Sequence, residues 1–417
     1  MTSRSVTIVG AGQSGLQLAI GLLEQGFSVT VVSDRTGDEI AAGRVSSSQC
    51  MFDEALTHER RLGLDFWGEV CPDVDGISVA VPLPPQDGGN GGFAINWAAR
   101  LERSAQSVDQ RVKMPRFIEE FISRGGEFVV HTATVDDLER YSTESDLVIV
   151  AAGKGEIAKL FCRDAERSVL DGPQRALALT YVHGMRARED FSTVGFNMLP
   201  GIGEYFSFPA LTTSGPCDIM VFEAAIGGPM DRWTPGISAE QHLETSLGVL
   251  RDFLPWEAER CESVSLTDDL GVLAGRLTPT VRRPVATLLS GTPVLGMADV
   301  VVLNDPLTGQ GSNNASKCAA SYLDSIVARG DRAFDAEFQQ STFEKYWEYA
   351  QYVTAFTNSM LAPPPPHVLE LLGAAGSAPE LASRFVEGFN NPTTLFDWFT
   401  DPDEARKVLD TSYASSR

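Results

Sequence analysis

The sequence predicts an α/β protein built from a parallel-sheet domain, a second domain formed by an antiparallel sheet, and a helical C-terminal region. Three observations carry this expectation. The chain opens with a strand, a glycine-rich turn, a helix and another strand within its first 32 residues. The run from Asp146 to Gly153 is continuously apolar between an acid and a glycine, as suits a strand buried on both faces of a parallel sheet. Between Arg175 and Gly227, apolar and polar residues alternate in strands separated by Gly/Pro turns, the pattern of an antiparallel sheet with one covered face.

The opening stretch is the most informative. Val6 to Val9 reads as a strand, Gly10-Ala11-Gly12-Gln13-Ser14-Gly15 as the turn, Leu16 to Leu23 as a helix and Val29 to Val32 as the second strand. Gly10 permits the tight turn, Gly12 lets the backbone approach a pyrophosphate, and Gly15 allows the helix to lie close to the sheet. The free N–H groups of the helix start then face the phosphates, so the expected ligand is a dinucleotide. An acid is expected at the end of the second strand to hold the ribose. Here Ser33 follows Val32 and the acid is one later, at Asp34, which leaves both residues open for that role.

Further along, Thr36 to Glu39 is polar and turn-like, Ala41 to Met51 is rich in small residues, and a helix is expected to about Leu64. Ile77 to Val81 alternates as a strand, and the Pro82 to Gly92 stretch is too rich in proline and glycine for a regular element. A helix from Arg111 ends at Gly125-Gly126, before the strand Glu127 to His131. The antiparallel strands are Ala176 to Val182, Tyr205 to Leu211 and Asp218 to Ala224, followed by a helix from Ala239 to Leu254. The chain returns to its first domain at Pro293 to Asp299 and continues as a helix from Ala315 to Ala328. Beyond Arg332 the pattern is helical, broken only by Pro363 to Pro366. The expected division is 1–170, with an inserted segment near 70–105, and 286–330 for the nucleotide domain, 171–285 for the antiparallel domain, and 331–417 for the terminal helices.

Bulk composition excludes several classes. The 417 residues are 43% apolar, enough for a large core, and the formal net charge of -23 argues against nucleic acid or an anionic membrane as partner. The six cysteines are scattered without a CxxC pair or metal-ligand spacing, so neither disulfides nor a metal site is expected. The first strand begins too early to leave room for a signal peptide and no apolar run reaches membrane-spanning length, so the expected location is the cytoplasm.

A second constellation narrows the ligand. Leu295-Gly296-Met297-Ala298-Asp299 is followed, six residues on, by Asp305-Pro306-Leu307-Thr308-Gly309-Gln310-Gly311-Ser312-Asn313 opening a helix. An acid at a strand tip can bind a ribityl hydroxyl, and Gly309 to Asn313 would present backbone N–H groups to the pyrimidine edge of a flavin. Together with the first turn these residues resemble flavoprotein monooxygenases in which both ends of the chain fold into one Rossmann-like, glutathione-reductase-like FAD domain. The Asp-Gly motif of that group is missing after Val150, where the chain reads Ala151-Ala152-Gly153-Lys154-Gly155, and the WxWxIP stretch of flavin-dependent halogenases is absent. Gly10-Ala11-Gly12, Ser33-Asp34-Arg35, Arg44, Asp146 to Lys154, Pro173 to Leu177, Phe208 to Leu211, Val221-Phe222-Glu223, Asp305-Pro306, Gly309 to Gly311 and Phe389 to Pro392 together resemble the styrene and indole monooxygenase family.

That resemblance implies a two-component epoxidase that uses O2 and FAD, delivered reduced by a transiently bound NADH-dependent flavin reductase. A flavin C4a-hydroperoxide would pass oxygen to the double bond of a small aromatic substrate such as indole or styrene, and a homodimer is left open. Ser47, Gln49, Met51 and Ala105, with Ile77 beside them, resemble the indole-preferring branch and would shape the pocket, with Pro306 against the reacting face of the flavin. Arg44 and Arg111 would lie near the cofactor phosphates or the pocket mouth. Plain core packing is the alternative for Met51, and a solvated helix start for Arg111. No general base is required, because the alkene is itself the nucleophile, and none of the five histidines has a catalytic setting. Two other readings stay open, a single-component NAD(P)H-dependent aromatic hydroxylase and a non-redox binding protein of the GDP-dissociation-inhibitor type.

Overall fold

Apolar β-branched runs near the N-terminus and at residues 147–150 build a six-stranded sheet, seen in a computed structural model that describes residues 4–83, 92–153 and 155–415. Most of the proline/glycine stretch after Pro82, and Lys154, lie outside the described residues. The strands of this sheet are β1 (Ser5–Val9), β2 (Ser28–Ser33), β6 (Glu127–Val130), β7 (Leu147–Val150), β15 (Val285–Thr287) and β16 (Pro293–Gly296), in the order β15-β16-β7-β1-β2-β6. All neighbours run parallel except β15 against β16. β1 is central, with Val6 opposite both Val29 and Leu147, and this is why its residues from Val6 to Val9 are buried on both faces.

The larger sheet has nine strands. Its path is β12 (Ser265–Leu266), β8 (Arg175–His183), β11 (Gly215–Ala225), β10 (Gly203–Thr212), β9 (Thr193–Leu199), β4 (Asp73–Pro82), β5 (Phe93–Ser107) and β3 (Cys50–Met51), with β13 (Val272–Gly275) also on β8. The segment near 70–105, which the sequence grouped with the nucleotide domain, is therefore hydrogen-bonded into this sheet, with β4 parallel to β9. A two-stranded ladder, β14 (Thr280–Val281) with β17 (Val302–Leu303), lies beside the return to the first sheet.

Helices cover both sheets. Around the parallel sheet are α1 (Gln13–Glu24), α4 (Gln110–Ser123), α5 (Val135–Glu144) and α8 (Gly311–Arg329). Thr36 to Glu39, read as a turn, instead starts α2 (Gly37–Ala41), where Thr36 and Glu39 form a reciprocal capping box. The short α3 (Asp53–Arg61) leads into the insertion. One face of the large sheet is closed by α6 (Ala239–Phe253) and α7 (Pro255–Ala258), where Val249, Leu250 and Leu254 meet Tyr205, Met220 and Phe222. The other face is closed by the terminal helices. The first of these, α9 (Ala336–Leu361), buries Phe343 and Tyr346 in the core of the parallel sheet and Phe356 in that of the large one. It is followed by α10 (Pro366–Ala375), α11 (Pro379–Asn390) and α12 (Pro402–Ser415), so the helical tail is interrupted at residues 376–378 and 391–401 as well as at the proline run. No helix among the described residues is long and apolar enough to cross a membrane.

Candidate active site

The first turn is held by two close approaches. Gly10 sits at φ +124°, and a Cβ there would lie 2.8 Å from the Ala151 carbonyl carbon and the Ala152 nitrogen. A Cβ on Gly15 would lie 2.1 Å from the Gly10 carbonyl oxygen. Gly12 is different, with nothing within 4 Å of where a side chain would begin. It is the N-cap of α1, and α1 has neither a side-chain cap nor an acid in its first turn. Its dipole and free N–H groups are thus left for an anion. Ala11 lies beside Gly12, while the Gln13 and Ser14 side chains are buried. At the end of β2, the Ser33 hydroxyl is turned inward, donating to the Arg35 carbonyl at 2.8 Å and accepting from the Arg35 N–H at 3.2 Å. The Asp34 carboxylate is exposed, 3.5 Å from the Arg35 guanidinium.

The second turn is built by Asp305, whose Oδ1 accepts from the Leu307 N–H at 3.1 Å, and by Gly309 at φ +65°. A Cβ on Gly309 or on Gly311 would likewise meet nothing within 4 Å, and α8 also begins without a side-chain cap. The Asn313 side chain is spent inside the protein. Its Oδ1 accepts from the Phe52 N–H at 2.8 Å, and its Nδ2 donates to the carbonyls of Cys50 and Gly309, both at 2.9 Å. The Gln310 amide donates to the Phe389 carbonyl at 2.8 Å. Ser312 is half-buried, Pro306 is half-buried on the preceding turn, and Asp299 is exposed, its Cβ 3.5 Å from the Cβ position of Gly153 near the tip of β7. Open backbone cradles at two uncapped helix starts fit a long, doubly anchored, anionic cofactor.

Asn313 holds β3 against this second turn, and between them lies a narrow apolar cavity. Its wall includes Cys50, Phe52, Ile77, Phe206, Phe208 and Phe389, and it reaches Gly309. The space open to the centre of a water-sized sphere is about 30 Å³. Side chains alternate along an extended chain, so Ser48, Cys50 and Phe52 face the cavity while Ser47, Gln49 and Met51 face away. Gln49 stands at φ +30°, and its amide donates to the Tyr181 hydroxyl at 2.8 Å, while Ser47 donates to Gln49 Oε1 at 2.6 Å. Tyr181 returns a bond to the Ser47 carbonyl at 2.9 Å. Met51 is buried against Ala55 and Leu56, and its sulfur accepts from the Lys113 ammonium at 3.1 Å. Ala105 is fully buried opposite Val74. Of the five residues expected to shape the pocket, Ile77 is the one on the cavity wall.

Arg111 is engaged elsewhere, whereas among the described residues Arg44 keeps free N–H groups. Arg111 is buried, and its guanidinium donates to Asp109, to both oxygens of Asp268, to Thr212 and to the Gly43 carbonyl. Those bonds use all five of its N–H groups, leaving none for a phosphate. Arg44 is exposed and donates to the Val272 carbonyl at 2.7 Å.

The sequence reading missed two buried acid groups beside the turns. Lys113 donates to both oxygens of Glu59 at 2.7 and 2.9 Å, and Gln13 donates to Glu59 at 2.6 Å, beneath the first turn. Glu223 is fully buried with neither carboxyl oxygen hydrogen-bonded. Burial, then the neighbouring carboxylates of Asp305 and Glu204, push it well above the ordinary range. Burial also drives His242 down to about 4. Among the described residues, no group of three or more His, Cys, Asp or Glu is placed to hold a metal.

Residues 153–260 match a family described as "Styrene monooxygenase A putative substrate binding domain". Over 411 residues the chain is 28% identical to the styrene monooxygenase StyA of Pseudomonas fluorescens, covering 96% of each, and a StyA from Pseudomonas sp matches to the same extent. These matches support the styrene monooxygenase family. Among solved structures, the flavin-dependent brominase Bmp2 aligns over 100% of both chains with a TM-score of 0.66 at 12% identity. The p-nitrophenol 4-monooxygenase PnpA from Pseudomonas putida DLL-E4 aligns over 94% of this chain and 98% of its own, with a TM-score of 0.63 at 14% identity. The structural likenesses give the fold, a mixed α/β flavoprotein fold. The whole-length sequence matches support an FAD-dependent monooxygenase, an oxidoreductase that uses O2.

Proposed function

We propose that this enzyme epoxidises small electron-rich aromatic alkenes, indole foremost and styrene-type vinyl arenes beside it, with FAD supplied already reduced by a separate NADH-dependent flavin reductase. The observation that carries the reading is the apolar cavity abutting Gly309, walled by phenylalanines and free of any charged side chain. Reduced FAD, when bound, supplies two electrons to O2, so that one oxygen atom becomes electrophilic and the other leaves as water. The chain's own work is to bind, orient and exclude water. The turn Gly10 to Gly15 and the start of α1 would hold the pyrophosphate, the exposed Asp34 carboxylate the ribose, and Asp299 the ribityl chain. Gly309 to Ser312 would take the pyrimidine edge, with Pro306 at the oxygen-donating face. Phe206, Phe208 and Phe389 would keep water from the oxygen-donating face, which suppresses loss as hydrogen peroxide.

The preference for indole is read from Ser47, Gln49, Met51 and Ala105, and the geometry supports an indirect route for it. The Ser47-Gln49-Tyr181 hydrogen bonds fix the strand whose opposite face, Ser48 and Cys50, lines the cavity. Each such bond contributes about 1 kcal/mol, enough to bias the pose of a ring. Six cysteines without disulfides, five of them buried, favour the cytoplasm as the working compartment.

The test supplies chemically reduced FAD and indole in air. Indigo, formed through the epoxide and 3-hydroxyindole, is the expected product, and hydrogen peroxide without an oxygenated product refutes the proposal. NADH added alone should leave bound FAD oxidised.

A further inference from the structure

A second, larger pocket lies on the other side of the nine-stranded sheet. Its open space is about 260 Å³, and it is bounded by His183, Arg188, Asp218 and Arg260 with Phe208 and Pro209. Phe208 borders both this outer pocket and the inner cavity, and the adjacent residues Thr193 and Val194 divide between the two. The sheet should separate the pockets completely, yet its hydrogen-bonded ladder is broken where they meet. β10 pairs with β11 from Gly203 to Thr212, but its pairing with β9 stops at Ser207 opposite Gly195.

Pro209 explains the break. The Leu211 carbonyl accepts from the Asp109 N–H at 2.8 Å, so Leu211 turns its backbone polar groups away from β11. Backbone direction alternates along an antiparallel strand, so residue 209 faces the same side two positions earlier. Proline has no N–H to offer there, and the ladder toward β9 cannot continue. The β9–β10 ladder therefore ends at Ser207, and the next residue, Phe208, borders both pockets.

The chemistry of the outer pocket suits a neutral aromatic molecule. Arg188 and Arg260 share the Glu257 carboxylate, at 2.9 and 2.7 Å, and Asp218 faces the same two arginines, so two cations meet two carboxylates. Asp218 is half-buried and accepts no hydrogen bond among the described residues, leaving an acceptor for a ring N–H. Pro209, Met185 and Phe208 supply apolar contact.

We propose that the outer pocket is where the aromatic substrate first binds, that the break at Pro209 is its passage through the sheet, and that Phe208 is the gate. The inference rests on the epoxidase reading above. In this conformation the inner cavity is too small for a bicyclic ring, so the gate side chain moves when substrate passes.

Two variants test the route. Ala187→Trp fills the outer pocket from an exposed position outside the strands. Pro209→Val restores the missing N–H and lets the ladder close by one more pair. With reduced FAD supplied in excess, each is expected to lower kcat/KM for indole about tenfold, because admission of substrate governs that ratio. Soaking crystals of the whole protein in 5-bromoindole is expected to place bromine in the outer pocket, at the end of the ring away from Asp218, and this readout does not depend on either variant folding. Values of kcat/KM within about twofold of the parent in both variants, or bromine confined to the inner cavity, would overturn the route. Failure of the parent enzyme to oxygenate indole is seen before any variant is made, and it removes the epoxidase reading itself.

Discussion

Gly12 and Gly15, three residues apart in one turn, should respond to the same substitution in opposite ways. A methyl on Gly15 would sit 2.1 Å from the Gly10 carbonyl oxygen, where ordinary contact begins near 3.4 Å. The start of α1 would have to move by more than about 1 Å, an overpacking cost of about 3 kcal/mol. Alanine recovers about 1 kcal/mol of helix propensity, so Gly15→Ala should lose about 2 kcal/mol of stability. Gly12→Ala meets nothing within 4 Å and has φ −89°, ψ −174°, which alanine adopts freely. Its folding stability should therefore change by less than about 0.5 kcal/mol. The new methyl instead occupies the approach to the helix N-terminus. Losing one charge-assisted bond to a phosphate costs about 1.5–3 kcal/mol, which raises the Kd for FAD by about 10- to 150-fold. Urea unfolding of the apoprotein and titration of FAD fluorescence measure the two quantities separately. If Gly12→Ala bound FAD as tightly as the parent, the turn would not be the pyrophosphate site. If Gly15→Ala were as stable as the parent, the close approach to Gly10 would not constrain the fold.

Three further outcomes follow from the geometry. Lys113 and Glu59 are a buried pair at 2.7 Å with side chains 3% exposed, so Lys113→Met should cost about 3–5 kcal/mol. Combining it with Glu59→Gln should recover most of that loss in a urea titration, and additive losses would refute the pairing. Burial pushes Asp218 up to about 6, so its neutral form is favoured by the fold. That contribution is complete below the ordinary carboxyl range, near pH 4, and is lost as pH rises through 6. Two units are worth about 3 kcal/mol, reduced to about 1–2 kcal/mol by partial exposure. Asp218→Asn should accordingly be more stable than the parent at pH 8 and equal to it at pH 4, and a pH-independent difference would contradict this. Finally, Ser47→Asn with Met51→His should raise styrene turnover relative to indole in a competition assay, and an unchanged ratio would remove these residues from the specificity argument.

Local chemistry made the first turn and the apolar strands readable, because glycine spacing and continuous Val/Ile runs act within a few residues. β5 was hidden by its solvent face. Ile95, Trp97, Ala99 and Leu101 point inward, but Ala94 and Ala98 on the outward face blur the alternation, and Glu102 and Arg103 are exposed in succession. α5 was missed because Leu138 and Tyr141 are its only buried residues, although Thr134 and Asp137 spell a capping box. The cavity could not be read at all, since its wall takes alternate residues from β3, β4, β9 and β10 together with the second turn and α11. For the same reason, sequence spacing could suggest that Ser47, Gln49 and Met51 act together but not that they share the face turned away from that wall. Arg111 looked available because its partners Thr212 and Asp268 are distant in the chain.

The Asn313 side chain ties the second turn to a strand more than 260 positions earlier, through Cys50 and Phe52. During synthesis the N-terminal nucleotide turn can form early, but the ribosome must deliver α8 before the wall of the cavity has anything to close against. A nascent chain ending ahead of Gly309 would carry half a cradle, so loading of the flavin belongs after translation of that helix rather than alongside it.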